Sequence, residues 1–114
     1  MKFIIALFFI VTTITYAQNE MSWTKESQKR LSWKDANSYC KKNDAKLPTL
    51  EQMYALWEKH EKVAEVDGFD LSVSYWTSTE LKKNNRAAYP FYFGTGKEGW
   101  YYKEDHYGVR CIKN

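Results

Sequence analysis

The 114-residue chain carries 17 lysines and arginines against 14 aspartates and glutamates. The resulting formal charge of +3 is too small to indicate a nucleic-acid partner. Aromatic residues make up 18% of the chain, enough to build the core of one small domain, because each ring buries a large area.

The N-terminus combines Lys2, an apolar run over residues 3–11, and small residues Thr15 and Ala17 at the −3 and −1 positions, the pattern of a secretory signal peptide. The run falls short of the roughly 20 apolar residues that span a bilayer. The expectation is cleavage after Ala17, with residues 1–17 as signal and 18–114 as a single domain, placed in the periplasm or secreted, with no transmembrane span. An uncleaved anchor is the alternative. Two cysteines remain, Cys40 and Cys111. An even number in an oxidising compartment implies a disulfide, and only one pairing exists. A reactive thiol beside a structural one competes with it, but nothing near either cysteine resembles an activating site.

Residues 21–25 alternate as a short strand with Met21 and Trp23 on one face, and residues 26–30 read as a turn. Ser32, with Asp35 three residues on, opens a helix as a capping-box-like start. Trp33, Ala36 and Cys40 share one face of it, and Lys41 and Lys42 suit its C-terminal dipole. Pro48 biases Leu47 away from helical dihedrals. Thr49 and Gln52 then form a capping box. Leu50, Met53, Tyr54 and Trp57 follow at i, i+3, i+4 and i+7, a helical stripe expected to pack in the core. Residues 47–70 hold two bases and six acids, whereas 18–46 and 71–114 each hold seven bases and four acids.

The second half is β-prone. Residues 74–80 form a strand, 82–86 a solvated basic loop, and 87–93 a strand whose Pro90 implies an edge or a bulge. A glycine-rich turn over 94–99, a return over 100–103 and a closing strand over 107–112 complete the sheet. Two helices followed by antiparallel strands make an α+β domain, in which a Cys40–Cys111 bond ties the first helix to the last strand.

Four motifs in this order carry a resemblance: Leu31-Ser32-Trp33 through Ala36 to Tyr39-Cys40, then Lys46-Leu47-Pro48-Thr49, then Tyr75-Trp76-Thr77-Ser78-Thr79, then Val109-Arg110-Cys111-Ile112. Together they resemble the C-terminal domain of the Lcl-type collagen-like adhesins, over essentially the whole mature chain. The resemblance implies a C-type-lectin-like fold: two helices on a curled antiparallel sheet, with a disulfide from helix to last strand. Lys46 stands where the family usually has Arg, Ala45 where an aromatic often precedes it, and Thr77 where Ser is usual. A lysine cannot reproduce a bidentate arginine contact. No collagen-like repeat is present, so the trimeric display of those adhesins is not implied.

For calcium, the triplets of calcium-dependent lectins are missing. Glu65, Asp67 and Asp70 near Gly68 form the one acidic cluster, which reads better as a solvated loop than as an ion cage. For catalysis, His60 sits near a helix end and His106 in a charged loop beside Asp105, without a partner nucleophile at a telling spacing. No enzyme and no cofactor is expected. The candidate surface lies in the aromatic and basic second half: Lys82, Lys83, Arg86, Lys97, Trp100, Tyr102 and Lys103. Exposed rings beside cations suit an acidic polysaccharide, the rings stacking on sugars and the cations holding anionic groups. They also suit a protein ligand at the cell surface, which would make the chain an interaction subunit of a bacterial envelope assembly. An aromatic core with charged rims is the plainer alternative.

Overall fold

A computed structural model describes residues 21–59 and 68–114. The signal segment 1–17, His60, Glu65 and Asp67 lie outside the described residues.

Helix α1 (Trp33–Lys42) begins where Ser32, in extended conformation, accepts the Asp35 N–H on its hydroxyl at 3.2 Å. That bond satisfies one of the N–H groups a helix start leaves orphaned. The helix stops at Asn43 and Asp44, whose N–H groups return to Cys40 and Lys41. Asp44 takes φ 51°, a left-handed conformation that aspartate tolerates better than most residues. Strand β1 (Ala45–Lys46) then pairs antiparallel with β6 (Ile112–Lys113), so the chain's end is bound close to the exit of α1.

Helix α2 (Leu50–Lys59) opens on the expected capping box. The Thr49 N–H donates to Gln52 Oε1 at 2.8 Å, and the Gln52 N–H donates to Thr49 Oγ1 at 3.1 Å. The next orphan, the Leu50 N–H, is taken by Thr79 Oγ1 at 2.9 Å, and Ser78 N–H donates to Pro48 carbonyl at 2.8 Å. The Leu-Pro-Thr turn is therefore clamped onto the strand that follows it. Trp57 departs from the expected stripe. Met53 and Leu56 are buried, whereas Trp57 is 37% exposed. Its indole N–H donates to the Phe93 carbonyl at 3.0 Å, and its ring lies over Gly96, where a Cβ would come within 2.5 Å of it. Trp57 thus caps the Phe93–Gly96 turn from the rim of the core.

Strands β2 (Ser74–Leu81) and β3 (Asn84–Tyr92) pair antiparallel, with register shifts on either side of Glu80. β3 also pairs with β4 (Lys97–Glu98) and β5 (Tyr101–Tyr102), so it is the central strand. This corrects the basic-loop reading and decides between the two readings of Pro90. Only Lys82 and Lys83 form the turn after β2, and Asn84 to Arg86 are already strand. Pro90 sits in the central strand, and of the two expected settings, edge or bulge, it takes the bulge. It is opposite Trp76, next to the register shift, where the disturbed ladder accommodates a residue without an N–H. Residues 21–25 and 107–111 are not continuous strands. They join the fold through single bridges, Trp23 to Ile112, Leu31 to Tyr107 and Tyr75 to Gly108.

Consecutive strand residues face opposite ways, and Tyr75 and Trp76 accordingly enter two different cores. Trp76 joins Ala36, Cys40, Leu47, Ala88, Val109 and Cys111 beneath α1, and there Cys40 and Cys111 form the disulfide, 71 residues apart in sequence. Tyr75 joins Met53, Leu56, Phe69, Phe91 and Phe93 beneath α2. Its hydroxyl donates to Glu26 Oε1 at 2.5 Å and accepts the Asp70 N–H at 2.9 Å. Burial, with the Glu26 carboxylate behind it, pushes the Tyr75 phenol well above its ordinary value. The domain is α+β, and the observed helices, antiparallel sheet and disulfide agree with the expected architecture.

Candidate functional site

β4 and β5 pair with β3 in one register: Phe91 lies opposite Glu98 and Ala87 opposite Tyr102. Opposed residues share a face, and so do alternate residues along a strand. Glu98, Trp100 and Tyr102 therefore project on the α2 side of the sheet, with Tyr89 and Phe91. Lys97 and Tyr101 project on the other side. Phe91 is buried under α2, but Tyr89 is only half-buried, because it lies past the helix start. Trp100 is 51% and Tyr102 46% exposed. Their rings meet edge to face, 6.0 Å apart and 89° to one another, so they form a corner rather than a flat shelf. The Arg86 guanidinium lies 6.0 Å from the Tyr102 ring centre, at the outer reach of a cation–π contact.

Beside Tyr89 the sheet and the start of α2 enclose a shallow cleft of about 370 Å³, lined by Leu50, Thr79, Glu80, Leu81, Lys82, Lys83, Tyr89 and Glu98. Leu50, whose N–H is held by Thr79 Oγ1, and Leu81 supply apolar lining to the cleft. Its charges come from the β2–β3 turn and from the edge strand. Lys82, Lys83 and Glu98 are exposed and form no ion pair among the described residues.

Lys103 is placed differently from the other candidate cations. Its ammonium pairs with Glu80 Oε2 at 3.0 Å and lies 4.2 Å from the Trp33 ring centre. Its carbonyl accepts the Trp33 N–H and its N–H donates to the Arg86 carbonyl, both at 2.9 Å. Lys103 thus pins the end of the edge strand to α1 and to β3, on the face away from Trp100. Of the seven candidate residues, Lys82 and Lys83 line the cleft, and Trp100 and Tyr102 project by register on the same side of the sheet. Arg86 touches the rim, and Lys97 and Lys103 lie on the other face.

Of the eight residues that line the cleft, the sequence marks Lys82 and Lys83 as ligand contacts and does not mark Glu98. The period-two spacing of Glu98, Trp100 and Tyr102 is the signal that puts Glu98 beside the rings. Asp70 accepts both the hydroxyl and the N–H of Ser72, at 2.7 and 2.9 Å, and these bonds hold its carboxyl below the usual range. Among the described residues no group of three or more His, Cys, Asp or Glu is placed to hold a metal. His106 is exposed.

The four motifs are bound to one another. The Trp33 indole donates to the Thr77 carbonyl at 2.9 Å, the Trp76 indole to the Leu31 carbonyl at 2.8 Å, and the Thr77 hydroxyl to the Tyr89 carbonyl at 2.6 Å. They position the cleft from beneath and contribute Thr79 to its wall.

A family model, the Lcl C-terminal domain, matches residues 12–113. No curated protein matches. Among solved structures, the chain is similar to the Yersinia pseudotuberculosis adhesin InvE, with a TM-score of 0.61 and 18% sequence identity over 74% of this chain and 24% of that one. The chain thus spans about a quarter of that adhesin's length, and the likeness concerns the fold, which is C-type-lectin-like. No helix among the described residues is long and apolar enough to cross a membrane.

Proposed function

We propose, because the chain belongs to the Lcl C-terminal domain family, that it is an exported, non-enzymatic binding module that recognises an acidic glycan at a cell surface. Residues 1–17 serve as its cleavable signal. Lys82, Lys83, Arg86, Trp100 and Tyr102 contact the ligand, Lys97 adds to the local positive field, and Lys103 keeps the edge strand in place. One observation carries this reading: two half-exposed aromatic rings stand on the same face as a cleft rimmed by two unpaired lysines. A sugar ring stacks on an aromatic face, and an ammonium holds its acidic substituent. InvE is an adhesin, and surface attachment is a role that fits such a site.

The test is retention on a heparin-like column in dilute buffer. The wild-type chain should bind and elute with added salt, since exposed charge interactions are screened. The double variant K82Q/K83Q should elute at clearly lower salt with an unchanged melting temperature. A wild-type chain that passes straight through both a heparin-like column and a uronate-polymer column in dilute buffer defeats the proposal.

A second reading has its own observation. Gly99 and Lys103 send their N–H groups inward to Pro90 and Arg86, so the alternate residues Glu98, Trp100 and Tyr102 turn their N–H groups outward along a strand edge that no other strand pairs among the described residues. An edge of that kind accepts an added strand from a protein partner. Stoichiometric co-purification of one protein from the native cell, abolished by proline at Trp100, would favour an assembly subunit over a glycan binder.

A further inference from the structure

From the position of Glu98 we infer that the site selects glycans bearing isolated carboxylates among free hydroxyls, and discriminates against densely sulfated chains. The inference rests on the glycan reading above and names its ligand class. Glu98 faces the same cleft as Lys82 and Lys83, and by strand register it is the neighbour of Trp100 on that face. Its carboxylate is not neutralised by an ion pair among the described residues. Glu80, the other acid on the rim, is bound to Lys103 and so keeps its charge balanced from below.

A ligand that reaches from Trp100 into the cleft therefore meets a ring, an acceptor-only anion and two cations. A carboxylate accepts hydrogen bonds from a pair of sugar hydroxyls or from an acylamino N–H. The lysines on the cleft's other border hold one acidic group. A polymer of alternating uronic acid and N-acetylated amino sugar supplies that sequence of neutral donors and single charges. A heavily sulfated chain instead presents an anion to Glu98 at every register, and like charges at close range repel.

The experiment compares wild type with Glu98→Gln on two immobilised polymers, a hyaluronan-type alternating uronate polymer and heparin, under the same dilute buffer. Glutamine keeps the shape and removes the charge. The expected result is a crossover. Affinity for heparin rises about threefold as a repulsive rim charge is removed, and affinity for the uronate polymer falls about tenfold as charge-assisted acceptance is lost. A second variant, Glu98→Ala, should lose the uronate affinity to at least the same extent. Movement of both polymers in one direction, or of neither, overturns the inference. Wild type that binds heparin but not the uronate polymer overturns it too, while leaving the glycan reading intact. Wild type that binds neither removes both.

Discussion

The core beneath α1 and the edge strand carrying Trp100 contain the same kinds of side chain and use them in opposite ways. Beneath α1, Trp76 is fully buried, its indole N–H is spent on Leu31, and the neighbouring Cys40 is bonded to Cys111. On the edge strand, Trp100, Tyr101 and Tyr102 are each about half exposed, and Trp100 touches chiefly Tyr102. The difference separates what identifies the domain from what it can do. Motif residues bond to one another and are thereby fixed by folding. Trp100 and Tyr102 stand outside that bonded set, so replacing them is expected to leave the scaffold standing.

The largest test of that contrast is the disulfide. Replacing both cysteines, C40A/C111A, opens a loop of 71-residue separation and should lower stability by about 4 kcal/mol in the loop-entropy model. Urea denaturation measures this directly. Glycan affinity per folded molecule should not move. A loss below about 1 kcal/mol would mean that the α1 core holds without its covalent tie.

Tyr75 gives the next effect, in the α2 core. Burial and the Glu26 carboxylate raise its folded-state value above that of the unfolded chain. The stability it contributes is then fully present below about pH 10, the ordinary tyrosine value. It is lost as pH climbs from there toward the folded value, because the unfolded chain releases the proton first. Tyr75→Phe removes two hydrogen bonds and should cost about 1–2 kcal/mol at neutral pH. It should also flatten the alkaline decline, leaving the smaller contribution of Tyr107, whose phenol burial likewise raises. An unaltered alkaline slope in the variant would show that Tyr75 does not cause it.

The two cores differ in the same way in how legible they are from sequence. Local chemistry was readable: Ser32 and the Thr49–Gln52 box are capping signals that act within four residues, and both formed as expected. Of the two readings of the cysteines, a disulfide or a reactive thiol beside a structural one, the disulfide formed. The helical period failed at Trp57, because a stripe counts apolarity and not size or shape. Leu56 fits under the sheet, whereas the indole, amphipathic and large, does better at the rim with its N–H on Phe93. Composition failed at Lys103, because a lysine that pins Trp33 and Glu80 reads the same in sequence as one that meets a ligand. The cleft was illegible for a related reason. It is made by Leu50, Thr79 and Glu98, which come from three elements, and only the fold brings them together.

Trp100→Ala gives the smallest stability change and the sharpest form of the comparison. The side chain is 51% exposed, its indole makes no hydrogen bond among the described residues, and it lies on an edge strand whose pairing runs through backbone groups. Removing it should shift the unfolding free energy by no more than about 0.5 kcal/mol. The same truncation removes the stacking surface, and a ring–sugar contact of about 1–1.5 kcal/mol corresponds to roughly tenfold in affinity. Trp76→Ala is the matched control. It should cost about 3–5 kcal/mol of stability and leave the affinity of the folded fraction unchanged. If Trp100→Ala destabilised the chain as Trp76→Ala does, the ring would be scaffold, and the binding surface would have to lie elsewhere. Calorimetric melts of both variants beside polymer binding at a temperature where both are folded would decide it.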